Sequence, residues 1–286
     1  MRERESSILL TYSILVLLCW SSIALAASPQ RIVSLAPSMT ESVFALGLGD
    51  RLVGVSVYCD YPPAVKKIDR VGTFLTPNIE AILSKHPDLV LAVPSPGNHG
   101  PVEELRRLGL KVVVVDPNTV DEIKQAQITI GEALGTEDAA RQLVRAIDAK
   151  IEAVRGKLDG VTDRKVLMVV GETPLIAVGR GTFIDELIRL AHGINLGAQA
   201  GGSWPRLSLE FPIAAGPEVI IDTTMGNEEP TGAAAGLAFW KSFTTIPAVK
   251  SGRVHGYQQY QLLRPGPRIG EALETIAKII HAERFE

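Results

Sequence analysis

The chain has 286 residues, 46% of them hydrophobic and 21% charged, with a formal net charge of −3. That length accommodates two ordinary domains, each with its own core, and the composition is that of a globular protein rather than a disordered tract. Slight acidity and the lack of a basic stripe exclude nucleic acid as the expected partner.

Residues 1–27 read as an export signal. Arg2 and Arg4 precede an apolar stretch from Ile8 to Leu18, and small residues follow, ending Ala24-Leu25-Ala26. The apolar run is short for a membrane span, and the expected destination is the periplasm. Cys19 offers a site for lipid anchoring, which the bulky Leu18 before it disfavours. After cleavage only Cys59 remains, so no intramolecular disulfide staples the fold.

The mature part opens with "RIVSLAP" (31–37), a buried strand, and "TESVFALGLG" (40–49), a helix expected to be capped by Thr40 and ended by Gly47 or Gly49. "RLVGVS" (51–56) is a second strand. A helix from Asn78 to Lys85 leads into a strand from Asp88 to Val93. "PVEELRRLG" (101–109) is helical and "KVVVVD" (111–116) is a strand. Continuous aliphatic strands alternating with helices indicate a parallel sheet covered on both faces. The pattern restarts at "KVLMVVG" (165–171), with a helix at "TFIDELIRLAHG" (182–193), another from Ser208 to Ala215, a strand from Glu218 to Asp222 and a last strand in "GRVHGY" (252–257).

Between the halves, "TEDAARQLVRAIDAKIEAVRGKLDG" (136–160) has Leu143, Ile147, Ile151, Val154 and Leu158 at helical spacing on one face. Thr136 suits the N-cap, Glu137 and Asp138 the first turn, and Gly160 the end. One helix of that length spans roughly 35 Å, enough to brace two lobes. The expected fold is therefore α/β: two Rossmann-like lobes joined by a single long α-helix, with a ligand cleft between them. The expected division is 1–27, signal; 28–135, N-terminal lobe; 136–160, connecting helix; 161–286, C-terminal lobe.

One element is written twice. "NIEAILSKHPDLVL" (78–91) and "SLEFPIAAGPEVII" (208–221) align without a gap, pairing Glu80 with Glu210, Pro87 with Pro217 and Asp88 with Glu218 at a constant offset of 130. The bland explanation is that each glutamate complements the dipole at its helix N-terminus.

With these motifs the chain resembles the helical-backbone class of ABC-transporter substrate-binding proteins, and within it the periplasmic cobalamin-binding family. "RIVSLAPSMTESVFALGLGDRLVGVSVYCDYPP" and the "PDLV" turn carry the class resemblance; "YCDYPP" and "SWPRLSLE" are its most specific parts. The resemblance implies an exported monomeric receptor that captures cobalamin or a related corrinoid as cargo, with no catalytic cofactor. Its implied partner is an ABC permease dimer with its ATPase subunits. It also implies that Glu80 and Glu210 are the knobs that dock into the two permease subunits. Tyr58, Phe74 and Trp204 match positions of ligand-facing aromatics, with Phe74 standing where that family has tryptophan.

A flat macrocycle with amide edges needs broad apolar and aromatic walls. Aromatics make up only 5% of the chain, so Tyr58, Tyr61, Phe74, Trp204, Tyr257 and Tyr260, all in expected loops or at strand ends, are the candidate wall. Trp204 suits a lobe-packing role as well, and Tyr257 and Tyr260 suit covering a sheet edge. "VPSPGNHGP" (93–101) is expected to rim the cleft, with "AVGRGTF" (177–183) facing it. Arg264 and Arg268 in "RPGPR" suit either anionic ligand contacts or capping of the C-terminal helix.

Rival chemistries have less support. Of five histidines only His99 lies in an expected cleft loop, so no metal set converges. The alternative ligand is a ferric siderophore, for which clustered arginines such as Arg180, Arg206 and Arg264 with tyrosines would suit the anionic chelate, or a haem, for which His99 would be the axial candidate and Cys59 a thiolate. No Walker loop, GxGxxG fingerprint or GxSxG elbow is present, and the chain is not expected to be an enzyme.

Overall fold

The computed structural model describes residues 28–224, 237–257 and 260–286. The expected export signal and Cys19 lie outside them. In the N-terminal lobe, strands β1 (Ile32–Ser34), β2 (Leu52–Val55), β3 (Leu89–Ala92) and β4 (Lys111–Val114) form one parallel sheet in the order β2-β1-β3-β4. Alternation along each strand sends side chains to opposite faces. Ile32, Leu89 and Leu91 join one core layer with Met39 and Val43; Val33, Val90 and Ala92 join the other with Ile82 and Leu105. This double burial is why these strands read as unbroken aliphatic runs.

Helix α1 (Pro37–Ala45) covers the first face, and α2 (Ile79–Leu83) and α3 (His99–Arg107) cover the second. Helix α1 begins three residues before the expected Thr40 cap, because Pro37 is already suited to the first helical position. Ala36 is the N-cap, and Thr40 sits buried inside the helix with its hydroxyl on Ser34 Oγ at 2.7 Å. Helix α2 starts as read: Asn78 Oδ1 accepts from the Ala81 amide at 2.9 Å.

A helix absent from the sequence reading follows β4. Helix α4 (Val120–Leu134) opens with a full capping box: Thr119 Oγ1 accepts from Glu122 N at 3.1 Å, and Glu122 Oε2 accepts from Thr119 N at 3.2 Å. It lies against α5 (Glu137–Lys157), the expected brace, which is 21 residues long and so about 31 Å. Val120 and Ile123 of α4 pack in the C-terminal core with Ile147, Ile151 and Val154 of α5. Ile130, Leu134 and Ala140, at the other ends of the two helices, pack in the N-terminal core. Both helices therefore touch both lobes. Thr136 is at the N-cap of α5 as expected, without a side-chain cap bond.

The C-terminal lobe is built on β5 (Arg164–Glu172), which pairs in parallel with β7 (Gly193–Asn195) and β8 (Val219–Asp222) and antiparallel with β6 (Leu175–Ala177). Strand β9 (Val254–Gly256) extends the sheet in parallel beyond β8. Helices α6 (Phe183–Leu190) and α9 (Ile269–Ile280) cover one face; α8 (Pro247–Lys250) and the buried Trp240 lie on the other. Between them, α7 (Glu210–Ala215) precedes β8. Among the described residues no helix is long and apolar enough to cross a membrane.

The repeated element is a repeat of position as well as of sequence. Strands β3 and β8 begin and end 130 residues apart, and each is third in its sheet order. Asp88 Oδ2 accepts from the amides of Gln30 and Arg31 at 2.7 and 2.9 Å, at the start of β1. Its counterpart Glu218 accepts from the Lys165 amide at 2.8 Å, at the start of β5. One carboxylate of each copy thus ties its strand to the neighbouring strand.

Candidate functional site

In a parallel sheet, ligands collect at the carboxyl ends of the strands. Two such edges face each other here, and side chains bridge them. The loop after β2 carries Tyr58, Asp60 and Tyr61; the segment between β9 and α9 carries Arg264 and Arg268. Arg264 Nη1 donates to Glu41 Oε1 at 2.9 Å and to Asp60 Oδ1 at 2.5 Å, and its Nη2 reaches the Tyr58 carbonyl at 3.4 Å. Arg268 grips the same Glu41 carboxylate with Nε and Nη2, both at 2.8 Å. Its Nη1 donates to Gln261 Oε1 at 3.2 Å, and its guanidinium lies 3.9 Å from the Tyr61 ring centre. Glu41 belongs to α1, so both arginines cross from one lobe to the other.

The electrostatics follow from burial. The Glu41 side chain is 2% exposed, and those of Arg264 and Arg268 are largely covered. Burial by itself lowers the pKa of Arg264, but hydrogen bonds to Asp60 and then Glu41 outweigh it, leaving the guanidinium above its ordinary value. The same balance, with Glu41 as the main partner, raises Arg268. As to the two roles open to these arginines, Arg268 stands at the N-cap position of α9 but its side chain makes no capping bond. Arg264, expected at the ligand, has described contacts to the carboxylates of Glu41 and Asp60 and to the Tyr58 carbonyl.

Tyr58 and Phe74 come together, their ring centres 5.5 Å apart and inclined at 58°. Tyr58 is 50% exposed, its chain neighbour Val57 and the Phe74 neighbour Leu75 are exposed, and so is Tyr61, three residues on, whose ring lies against Arg268. Isolated exposed apolar residues need no explanation, whereas a contiguous group marks a binding surface. Phe74 is held by a tight turn in which Thr73 Oγ1 accepts from the amides of Leu75 and Thr76 at 3.1 and 2.8 Å. Gly72 enters that turn at φ 101°, where a Cβ would meet Asn78 N at 2.7 Å. The loop "VPSPGNH" (93–99) packs on the same turn: buried Asn98 donates from Nδ2 to the carbonyls of Phe74 and Val93 at 2.9 and 2.8 Å. His99, expected in that loop, is instead the exposed first residue of α3.

Trp204 occupies a different place. Its segment is strapped to the end of β6, with Ala177 N on Pro205 O at 3.1 Å and Gly179 N on Ser203 O at 2.9 Å. Gly179 is required there, because a Cβ would collide with the Gly202 carbonyl and meet Pro205 Cδ at 2.6 Å. "AVGRGTF" thus serves as the seat of the Trp204 strap. The indole is 51% exposed. Among the described residues, the ring contact joining Tyr58 to Phe74 does not extend to it. Tyr257 packs partly buried against the C-terminal core, its amide on the Asp222 carbonyl at 2.8 Å. Tyr260 opens the helical turn Tyr260–Leu263.

At the C-terminal edge, Asp222 accepts from Trp240 Nε1 at 2.7 Å and from Thr224 N at 2.9 Å. Burial and then the Asp222 charge push the Glu172 carboxyl up. Cys59 is buried beside Thr40 Oγ1 at 3.1 Å, and burial raises its thiol. Among the described residues no three of His, Cys, Asp and Glu converge as metal ligands do.

Sequence reasoning missed Glu41, Asp60 as an ion-pair partner, and Asn98. A signal existed for Glu41: a carboxylate between Met39 and Val43 on a buried helix face demands a cationic partner.

The sequence that builds these two lobes matches a known family model. The model described as periplasmic binding protein covers residues 32–260. This chain belongs to the periplasmic binding protein family. Its sequence is 32% identical to the ABC transporter substrate-binding lipoprotein YvrC of Bacillus subtilis, over 90% of this chain and 82% of that one. Its structure is similar to the periplasmic vitamin B12 binding protein BtuF of Vibrio cholerae, with TM-score 0.78 and 28% identity, covering 91% of this chain and 99% of that one. It is equally similar to the periplasmic haem-binding protein RhuT of Roseiflexus sp. RS-1, with TM-score 0.80 and 29% identity, covering 89% and 99%. As a family member, the chain is a substrate-binding protein of an ABC transporter, in the class that handles vitamin B12, haem and iron chelates.

Proposed function

We propose that this binding protein captures cobalamin or a related corrinoid outside the cytoplasmic membrane and delivers it, as a monomer, to an ABC permease. The observation that carries this reading is the exposed apolar group around the Tyr58–Phe74 contact, with Val57, Tyr61 and Leu75, at the carboxyl edge of the N-terminal sheet. A broad, flat macrocycle removes such a surface from water in one event, which is the main favourable term in small-ligand capture. The half-exposed Trp204 on the opposite lobe supplies a second aromatic face. Residues 28–135 and 161–286 act as the two jaws, braced through residues 136–160. Export by way of residues 1–27 accompanies this role.

Delivery requires contact with two permease subunits. Glu80 and Glu210 are both exposed, both in the first turn of equivalent helices. A hydrogen bond from Ser208 and then its own backbone amide hold the Glu210 carboxyl below its ordinary range, so it stays charged. Asp88 and Glu218, the other carboxylates of the repeat, are spent on strand backbones. That division of labour supports the glutamates as one anionic knob per lobe.

The test is titration calorimetry and visible spectroscopy of the mature protein with cyanocobalamin, cobinamide, haemin and a ferric siderophore. A useful receptor binds its cargo at nanomolar levels, about −12 kcal/mol. Tight binding of cyanocobalamin is expected, and Trp204→Ala is expected to weaken it by about 1 kcal/mol or more. Tight binding confined to haemin or the iron chelate assigns the chain to the alternative cargo.

A further inference from the structure

The cluster that spans the cleft has a charge balance that bears on which ligands fit. Two guanidinium groups, Arg264 and Arg268, meet two carboxylates, Glu41 and Asp60. The pairing is layered by depth. Glu41 is sealed between the lobes and takes three N–H donors, whereas Asp60 is 50% exposed and takes one Arg264 nitrogen from the outer side. Tyr58, the most exposed tyrosine of the aromatic group, gives its carbonyl to the same guanidinium. Asp60 therefore shares the Arg264 guanidinium with the backbone of Tyr58, two residues before it on the same loop.

We infer that Asp60 is a specificity-determining residue: by occupying the outer face of Arg264 it denies that guanidinium to anionic ligands and leaves the crevice selective for a ligand with uncharged edges. The inference rests on the corrinoid reading of the site and says what makes it corrinoid-selective.

The physical argument is competition. Arg264 already serves two carboxylates from Nη1, buried Glu41 and half-exposed Asp60, so a third carboxylate gains a charge-assisted bond there chiefly by displacing the exposed one. A ligand carboxylate approaching Arg264 meets an internal carboxylate already at 2.5 Å and feels its repulsion. A propionamide edge carries no charge and meets neither obstacle. Arg180 and Arg206, the exposed cations near the Trp204 strap, lie on the β6 flank; a change confined to Asp60 leaves them untouched.

The experiment compares wild type, Asp60→Asn, Asp60→Glu and Asp138→Asn, each titrated with haemin, which carries two propionates, and with cyanocobalamin. Asp138 is on the far-exposed first turn of α5, paired with Arg141, so its variant removes one negative charge away from the cleft. In Asp60→Asn the ratio of haemin to cyanocobalamin affinity is expected to rise at least tenfold over wild type. Asp60→Glu, which keeps the charge, is expected to return towards the wild-type ratio, which separates charge from fold. A ratio within twofold of wild type in Asp60→Asn, or an equal rise in Asp138→Asn, overturns the inference. Failure of wild type to bind cyanocobalamin sinks the corrinoid reading instead, and the haemin series still decides the role of Asp60.

Discussion

Replacing Glu41 by glutamine removes one charge and no volume, and its effect can be worked from the contacts. The wild-type carboxylate accepts three guanidinium N–H groups, at 2.9, 2.8 and 2.8 Å, with its side chain 2% exposed. Glutamine keeps one acceptor oxygen and places an N–H₂ donor against arginines that already donate. Removing one partner of a buried ion pair typically costs about 3–5 kcal/mol, because the remaining charge is left uncompensated. Asp60 still faces Arg264, so the lower end, about 3 kcal/mol, is the working figure. For a domain of about 150–250 residues, each kcal/mol shifts Tm by about 2–4 °C, which makes the expected loss roughly 6–12 °C by scanning calorimetry. The matched control is Asp138→Asn, which breaks a pair whose carboxylate is 90% exposed and is expected to cost at most about 1 kcal/mol. Because Glu41 joins the lobes, its variant is also expected to unfold less cooperatively, with a broader or split transition. A loss equal to that of the control would refute the reasoning, and would mean that the arginines are held by other groups.

Three further predictions rest on separate observations. Charge reversal of both Glu80 and Glu210 to arginine is expected to abolish uptake by the reconstituted transporter while ligand affinity holds; normal uptake removes the docking role. Gly179→Ala drives a Cβ into the Gly202 carbonyl and Pro205, and is expected to lower stability by about 1–3 kcal/mol and to weaken corrinoid binding by shifting the Trp204 strap; unchanged melting shows that the strap yields freely. Burial and the Asp222 charge raise the folded-state pKa of Glu172 above its unfolded value, so its stabilising contribution is present below the unfolded pKa and is lost as pH rises through the folded one. Glu172→Gln is therefore expected to raise Tm relative to wild type at mildly alkaline pH but not near pH 4; an equal shift at both counts against that assignment.

Much of the fold was legible because its causes are local. Strands buried on both faces, such as Leu89–Ala92 and Val219–Asp222, must be aliphatic throughout. Asn78 announces a helix start because its side chain satisfies an amide three residues on. The start of helix α4 is equally local, since Thr119 and Glu122 form a capping box.

The candidate site was legible only in fragments. Tyr58 and Phe74 could be nominated separately as loop aromatics, but their contact depends on the turn that Gly72 and Thr73 build. The repeat of Glu80 and Glu210 stood in the sequence as a spacing of 130, and the fold added that Asp88 and Glu218 bind backbone while the glutamates stay on the surface.

Nothing in the chain's spacing tells Arg264 and Arg268 that their partner is Glu41, 223 and 227 residues earlier. Periodicity and capping act over a few bonds, so the sequence by itself determined the strands, helices and repeated half. Which charges cancel between the lobes depends on where two sheets, braced by α4 and α5, bring their edges together, and only the tertiary structure decided that.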